Sequence, residues 1–469
     1  MSIRLLPRLA ALLRRWEVRT RPVDEAAAIA AQRRWDELPE HVRTEAQLVG
    51  RRSTGCEGTH GVFPACDLAC QPCYHSAGAN RVRVDGEHTI EQVTAQMALL
   101  RARRGPAAYA QLIGGEVTLL DPEDHASALQ AMWEHGRVPM SMSHGDFDDA
   151  YLRRLALRPD GTPRFDTLSF AAHFDTTMRG RREAPRPQRE EELDEHRRRF
   201  CAMFAALRAD TGIRSYLAHN LTVTPENVAE IAGVIRRCRS QGWRMFSFQP
   251  AAYLGDERRW SPGYRVMTDD DVWCEIERGA GRRLPYRVLQ FGDLRCNRTC
   301  WGAFVGNRYV PALEEDDPAD LAARDAWLEH LPGSYLTEPS RAVNAVRVAR
   351  LLLRQPRLIA VGAGWVRRFV RRAGGWWALR CGIRPVTFVM HSFIDAAVVA
   401  PAWELLQRGE VAADPVVRAA QERLQACVYS MAHPETGEIV PACAQHAVLD
   451  TVEIEQLVEL LPRRRAQER

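Results

Sequence analysis

Three cysteines lie close together in the segment Cys66-Asp-Leu-Ala-Cys70-Gln-Pro-Cys73, which has the spacing CxxxCxxC. Thiolates are the usual ligands of iron–sulfur clusters, and this spacing lets three of them bind three irons of one [4Fe–4S] cluster while the fourth iron stays open. A zinc site instead favours two CxxC-like pairs that supply four ligands. We therefore predict that Cys66, Cys70 and Cys73 hold a [4Fe–4S] cluster; another metal, or chance cysteines, are the alternatives.

A second motif, Gly114-Gly115-Glu116, directly follows a predicted strand, Ala108 to Ile113. Glycines let a backbone approach a ligand closely, and a carboxylate offsets an ammonium charge. Alone, a Gly-Gly turn after a strand is ordinary turn chemistry. Together with the cysteines, it resembles the radical S-adenosylmethionine (SAM) superfamily, whose members chelate SAM at the open iron and cleave it to a 5′-deoxyadenosyl radical.

This resemblance implies a set of SAM contacts. In the superfamily the GGE turn meets the amino group of SAM, and polar residues at later strand ends hold its ribose and carboxylate. The residues assigned in this way are Gly114, Gly115, Glu116, Ser143, Asn220 and Gln249, with Tyr74 beside the cluster loop. The resemblance also implies a flavodoxin- or ferredoxin-type reductant. His75, His144 and His173 also end strands or loops, but we assign them no role.

Elements that could position these residues alternate between short β-rich runs and amphipathic helical runs, which is typical of a parallel α/β sheet or barrel. The predicted strands are Gly61 to Pro64, Ala108 to Ile113, Val138 to Met142, Thr167 to His173, Ser215 to Val223 and Met245 to Gln249. We expect a partial (β/α)6 TIM-like barrel of the radical SAM type, with its site at the carboxyl ends of the strands. The predicted parts are an N-terminal helical extension (1–55), a radical SAM core (56–255) and a mixed C-terminal accessory region (256–469).

The C-terminal region contains Cys427 and Cys443, separated by a segment with Pro and Gly, and preceded by the stretch Met390 to Asp395. These stretches resemble the tetraether lipid synthase family, radical SAM enzymes that join lipid chains through carbon–carbon bonds and carry extra iron sites. The resemblance implies a second iron or iron–sulfur site at Cys427 and Cys443, and Cys296 or His391 is a candidate for a further ligand. A redox, substrate-facing or purely structural role is the alternative.

One departure from that family concerns the cysteines before the core. Archaeal members place additional cysteine clusters there, whereas only Cys56 precedes Cys66 in this chain. We therefore expect at least one cluster of that family to be missing here.

The segment from Pro339 to Ile394 contains eleven arginines and no Asp or Glu, with Trp365, Phe369, Trp376 and Trp377 interleaved. Cationic helices with aromatic anchors bind anionic lipid headgroups. This pattern predicts a peripheral contact with the inner face of the membrane; a solvated basic face packed on the core is the alternative. We expect no nucleic-acid partner, because no RNA-binding module is recognisable.

The composition sets the remaining limits. With 469 residues and 46% hydrophobic residues, the chain can bury a large core. All 64 basic residues are Arg, so no lysine can form a Schiff base with pyridoxal phosphate or complete a P-loop. Twelve cysteines without a secretory signal predict a cytoplasmic protein. No stretch reaches the roughly 20 apolar residues of a membrane-spanning helix.

These observations favour an enzyme that cleaves SAM reductively and abstracts hydrogen from an apolar substrate such as a lipid, in an oxidation or a carbon–carbon bond formation. A radical SAM enzyme that modifies a peptide or nucleotide with the help of an auxiliary cluster is the alternative enzyme. An iron–sulfur scaffold or redox sensor is the alternative without catalysis.

Overall fold

The computed structural model describes residues 13–73, 78–106, 108–255, 260–334 and 340–463. In this part of the chain the main sheet has eleven strands, in the spatial order β10-β9-β11-β8-β7-β5-β4-β3-β1-β12-β13, and β2 and β6 form a separate pair. The strands are β1 (Cys56–Gly58), β2 (Ala69–Cys70), β3 (Ala108–Leu112), β4 (Arg137–Ser143), β5 (Thr167–His173), β6 (Met178–Arg179), β7 (Arg214–Val223), β8 (Met245–Pro250), β9 (Asn297–Val305), β10 (Arg308–Pro311), β11 (Ile383–His391), β12 (Tyr429–His433) and β13 (Glu438–Pro441).

The centre of the sheet is the predicted parallel series. Strands β1, β3, β4, β5, β7 and β8 are hydrogen-bonded in that order, each parallel to its neighbour. The sheet curls into a half-barrel, so the predicted α/β partial barrel is confirmed. Carboxyl ends of parallel strands meet at one rim, which is where the loops that carry a site converge.

Helices connect the strands of the half-barrel and cover it. They are α1 (Glu25–Glu37), α2 (Gly86–Arg104), α3 (Pro122–Glu134), α4 (Asp149–Ala156), α5 (Asp194–Thr211), α6 (Ile231–Cys238), α7 (Asp269–Ala280), α8 (Pro318–Leu328), α9 (Arg341–Arg354), α10 (Arg357–Ala373), α11 (Ala396–Gln407), α12 (Pro415–Gln425) and α13 (Asp450–Leu460). Asp85, Asp121 and Asp148 each accept a hydrogen bond from a backbone N–H in the first turn of the helix that follows. Such N-caps fix where these helices begin.

The first predicted strand, Gly61 to Pro64, is wrong. The strand lies earlier, at Cys56–Gly58, and residues 61–64 make no sheet pairing. Val62 and Phe63 are nevertheless buried, because the loop packs them onto the core. Gly61 has a φ of +61°, which turns the chain out of the sheet direction. Burial of a loop therefore produced the apolar pattern that resembled a strand.

Two strands of the C-terminal region lengthen the parallel series. β11 lies parallel to β8, and β12 lies parallel to β1. The sheet thus continues across residue 255, while the predicted boundaries of the three parts stay predictions. Among the described residues, no helix is both long and apolar enough to cross a membrane.

A buried ion pair links two of the barrel strands. Arg137, at the start of β4, donates to both carboxylate oxygens of Glu57 in β1, at 2.8 and 3.2 Å, and neither side chain is exposed. The same guanidinium donates to the carbonyl oxygen of Gly105 at 2.7 Å. Such bidentate geometry holds the short strand β1 in register with its neighbours.

Candidate functional site

A cavity of about 280 Å³ opens at the carboxyl ends of the parallel strands. Every predicted site residue in the described part of the chain lines it, namely Cys66, Cys70, Cys73, Gly114, Gly115, Glu116, Ser143, Asn220, Gln249, Cys296, Cys427 and Cys443. Tyr74 lies outside the described residues. The fold therefore brings together residues that are far apart in the sequence.

The cysteine loop is fixed at both its start and its middle. The backbone N–H of Cys66 donates to Oδ1 of Asn80 at 2.9 Å, and the N–H of Leu68 donates to the Cys66 sulfur at 3.4 Å. Further along, β2 pairs with β6 and so ties Cys70 to the segment after β5. Burial raises the pKa of the Cys66 thiol to about 12.

The turn at Gly114 to Glu116 is hydrogen-bonded directly to the residues that precede Cys66. The N–H of Gly115 donates to the carbonyl oxygen of Phe63 at 2.8 Å, and the N–H of Glu116 donates to that of Ala65 at 2.9 Å. A Cβ on Gly115 would lie 1.9 Å from the Ala65 oxygen, so only glycine fits. The expected proximity of the two motifs is confirmed, while their contact with SAM stays a prediction.

The carboxylate of Glu116 is buried and fully engaged with the protein. One of its oxygens accepts from the hydroxyl of Ser143 at 2.8 Å and from the backbone N–H of Thr118 at 3.0 Å. The other accepts from the backbone N–H of His144 at 2.7 Å. Glu116 therefore organises the ends of β3 and β4 around the cavity.

His144 is a site residue to which sequence reasoning assigned no role. Its Nδ1 accepts from the N–H of Asp146 at 3.0 Å, so Nε2 carries the hydrogen and donates to Asp67 at 2.7 Å. Burial lowers the pKa of His144, but the carboxylates of Glu116 and Asp67 outweigh it and raise the pKa. Because Asp67 follows Cys66, this contact joins the cysteine loop to the end of β4.

Polar groups on the later strands face the same cavity. Gln249 donates its Nε2 to the hydroxyl of Ser247 at 2.6 Å, and its Oε1 is buried with no protein partner. The side-chain nitrogen Nδ2 of Asn220 lies 3.2 Å from Nε2 of His173. A buried amide oxygen without a donor is costly unless a ligand supplies one. The Gln249 oxygen therefore marks a position for a hydrogen-bond donor in the cavity.

The opposite wall carries the three C-terminal cysteines. The Nε–H of Arg423 donates to the sulfur of Cys296 at 3.2 Å. The backbone N–H of Ile394 donates to the sulfur of Cys443 at 3.5 Å. The thiol of Cys427 donates to the carbonyl oxygen of Tyr429 at 2.9 Å. Burial raises the pKa of Cys296 to about 11, against the opposing charge of Arg423. Burial, followed by the neighbouring thiols of Cys427 and Cys296, raises the pKa of Cys443.

Cys56 also lines this cavity, although no sequence pattern indicated that it would. It begins β1, and the side-chain amide of Gln111 lies 3.8 Å from its sulfur. Burial raises its pKa to about 12. Seven of the twelve cysteines therefore surround a single cavity.

The arrangement fits an iron–sulfur cluster with SAM beside it. Three thiols from one loop offer the soft ligands that iron–sulfur clusters need. The absence of a Cβ on Gly114 and Gly115 leaves room for Phe63 and Ala65, so the turn packs against the cysteine loop at the cavity. The unpartnered oxygen of Gln249 offers an acceptor in the same cavity.

No protein-family model and no curated protein matches the chain. Among solved structures, it is similar to SuiB of Streptococcus suis bound to S-adenosylmethionine, with 13% identity, coverage of 41% of this chain and 40% of SuiB, and a TM-score of 0.28. It is also similar to anSMEcpe with bound AdoMet, with 12% identity, coverage of 50% of this chain and 63% of that one, and a TM-score of 0.32. The chain thus spans less than two thirds of the length of each of these proteins.

Proposed function

We propose that this chain is a radical SAM enzyme in which Cys66, Cys70 and Cys73 hold a [4Fe–4S] cluster. The observation that carries the proposal is the hydrogen-bonded junction between the cysteine loop and the Gly114-Gly115-Glu116 turn, at the rim of a parallel half-barrel and beside a cavity. When bound there, the reduced cluster supplies one electron that cleaves SAM and so provides a 5′-deoxyadenosyl radical for hydrogen abstraction. A flavodoxin- or ferredoxin-type protein is the proposed source of that electron.

In this proposal the residues of the chain bind and orient SAM. The Gly114-Gly115 backbone receives the amino acid end of SAM, since this turn lines the cavity next to the cysteine loop. Gln249 accepts a hydrogen bond through its free amide oxygen, and Asn220 offers a polar contact to the ribose or carboxylate. Glu116 and His144 act through their hydrogen bonds, which keep the turn, β4 and the cysteine loop in one arrangement.

The proposed substrate is apolar, with a lipid as its most specific form. Besides its polar groups, the cavity is lined by apolar side chains, including Met140, Met142, Ala171, Met245, Phe291 and Phe393. An apolar lining favours a hydrocarbon part of a substrate, because it removes that part from water. The cysteines at the opposite wall, Cys296, Cys427 and Cys443, are the proposed ligands of a second iron or iron–sulfur site.

A peripheral membrane contact of α9 and α10 would bring such a substrate to the enzyme. In and after these helices several apolar side chains are exposed to solvent: Leu353, Ile359, Trp376 and Trp377 are 54–79% exposed. Arg354, Arg357 and Arg371 are exposed near them. Other arginines of the segment point inward, since Arg368 and Arg372 both bind the buried Asp320.

Cluster assembly tests this proposal. After anaerobic reconstitution with iron and sulfide, the Cys66→Ala, Cys70→Ala, Cys73→Ala triple variant should contain about four irons per chain fewer than the parent protein, because the three thiolates hold one [4Fe–4S] cluster. A Cys274→Ala, Cys381→Ala double variant is the matched control, because both residues are exposed and lie away from the cavity. An unchanged iron content and absorption spectrum in the triple variant would contradict the assignment.

A further inference from the structure

Two histidines meet at the carboxyl ends of strands β1 and β12. The strands pair in parallel, and the last pair is Gly58 with Met431. Two residues beyond it on each strand, His60 and His433 lie side by side, with ring centroids 3.9 Å apart and planes within 24°. Both side chains are only 7% exposed. Neither is among the residues that line the cavity described above.

The hydrogen bonds of both rings fix which nitrogen carries hydrogen. Nε2 of His60 lies 2.7 Å from the carbonyl oxygen of Ala432, which only accepts. Nε2 of His433 lies 2.7 Å from Oε1 of Gln445. The amide of Gln445 cannot be reversed, because its nitrogen donates to Asp450 and Glu453, both at 2.9 Å. In each neutral ring Nε2 is therefore the donor, and Nδ1 keeps a lone pair.

Both lone pairs face carboxylates. Nδ1 of His60 lies 3.0 Å from Oε2 of Glu453. Nδ1 of His433 lies 3.0 Å from Oε1 of Glu435 and 3.9 Å from Oε1 of Glu453. A lone pair facing an anionic oxygen needs a positive charge between them. Protonating both rings would stack two cations at 3.9 Å, where they repel each other, whereas one metal ion would serve both ring nitrogens and Glu453 together.

We propose that Nδ1 of His60 and Nδ1 of His433, with the carboxylate of Glu453, bind one divalent metal ion of the zinc class, and that the exposed carboxylate of Glu435 beside His433 turns toward the ion as a fourth ligand. One ligand atom from each of His60, His433 and Glu453 lies within 4.8 Å of the other two. Tetrahedral bonds of about 2.0–2.2 Å place ligand atoms about 3.4 Å apart, so binding would turn the two stacked rings until both Nδ1 atoms point at one ion. Two imidazoles with two carboxylates suit tetrahedral Zn²⁺. Donation of the distant ring N–H to a fixed acceptor is the usual arrangement of metal-bound histidine.

The site would join three segments that are far apart along the chain. His60 precedes the cysteine loop by six residues, His433 and Glu435 belong to the β12–β13 hairpin, and Glu453 lies on α13. The helical turns that lead into α13 begin with the segment that carries Cys443. The ion would thus be structural, holding the C-terminal helix against the start of the cysteine loop, and it does not depend on the proposed SAM chemistry.

Zinc binding by the full-length chain tests this site. The protein is stripped with a chelator and titrated with Zn²⁺, and bound zinc is counted after gel filtration. We expect His433→Gln and Glu453→Gln to bind one zinc fewer per chain, or to bind it at least about 100-fold more weakly, since even loss of a group that only orients a ligand costs about 10–100-fold. His446→Gln is the matched control, because it is buried on the same helical segment and contacts Asp450 instead.

Two further measurements distinguish loss of the zinc site from misfolding of a variant, and zinc bound at this site from zinc bound to cysteines. Glu435 is 61% exposed on a turn, so Glu435→Gln leaves the core intact, and we expect it to weaken the site at least about tenfold. X-ray absorption should show a nitrogen/oxygen shell at about 2.0–2.1 Å that is lost in His433→Gln, whereas thiolate-bound zinc gives sulfur at about 2.3 Å. Equal stoichiometry and affinity in all variants, or a shell of sulfur alone, would overturn the proposal.

Discussion

Replacement of Gly115 by Ala tests the junction of the two motifs. The added Cβ would lie 1.9 Å from the oxygen of Ala65, which is 1.1 Å inside the 3.0 Å that such contacts require. Because the atom that the Cβ meets is the backbone oxygen of Ala65, the chain segment before Cys66 has to move by about an ångström. Overpacking of this kind costs about 1–3 kcal/mol of folding free energy. A displacement of about 1 Å at a site lowers a rate by about 100-fold.

Gly114 provides the graded comparison. A Cβ there would lie 2.8 Å from the oxygen of Phe63, only 0.2 Å inside the same limit. We expect Gly114→Ala to lower SAM cleavage by less than about tenfold, because a shift of a few tenths of an ångström relieves the contact. Gly364→Ala in α10 is the control: its nearest atom is a flexible Arg368 nitrogen at 3.4 Å, and Ala in a helix is favoured over Gly by about 0.5–1 kcal/mol.

The assay combines denaturant unfolding with 5′-deoxyadenosine formation under reducing conditions. The expected order of loss is Gly115→Ala, then Gly114→Ala, with Gly364→Ala at least as stable and as active as the parent protein. Suppose instead that Gly115→Ala retained the stability of the parent and cleaved SAM within about threefold of its rate. The contact between the Gly115 turn and the Ala65 carbonyl would then not position the cysteine loop for SAM cleavage. The expectation that a backbone displacement of about 1 Å lowers the rate would be refuted.

Three further predictions concern stability and membrane contact. Glu57→Gln should lower the free energy of unfolding by about 3–5 kcal/mol in urea titrations, because it leaves Arg137 buried and unpaired. Burial lowers the pKa of His125 from 6.5 to about 3. Between these two pH values, His125 is protonated in the unfolded chain but neutral in the folded chain. Stability should therefore fall from pH 6.5 towards 3, and His125→Gln should remove about 1.4 kcal/mol per pH unit of that slope. Trp376→Ala with Trp377→Ala should reduce co-sedimentation with anionic lipid vesicles, since the rings are 68% and 72% exposed; equal sedimentation would argue against the membrane face.

The sequence predicted those features that depend on local pattern and on strand order. The CxxxCxxC spacing is contiguous, and Gly114 to Glu116 follow a strand directly, so the shared rim of a parallel sheet was enough to bring them together. Ser143, Asn220 and Gln249 reached the cavity for the same reason, because each lies towards the carboxyl end of its strand.

Features that depend on distant pairing could not be predicted in this way. The pairing of β12 with β1 joins residues more than 370 positions apart, and it is this register that stacks His60 on His433. The bond between His144 and Asp67 likewise depends on how the cysteine loop folds over β4. Hydrophobic periodicity carries no information on which strands become neighbours, and the buried loop at Val62 and Phe63 even imitated a strand.

Reductive cleavage of SAM is the defining reaction of the enzyme proposed here, and it can be measured in the reconstituted protein. The full-length protein, reconstituted anaerobically with iron and sulfide, is reduced with dithionite in the presence of SAM, and 5′-deoxyadenosine is counted per chain. We expect the parent protein to form 5′-deoxyadenosine, and we expect Cys66→Ala, Cys70→Ala and Cys73→Ala together to abolish its formation. Formation at the parent rate by that triple variant, or its absence from a parent protein that carries the full cluster, would contradict the claim.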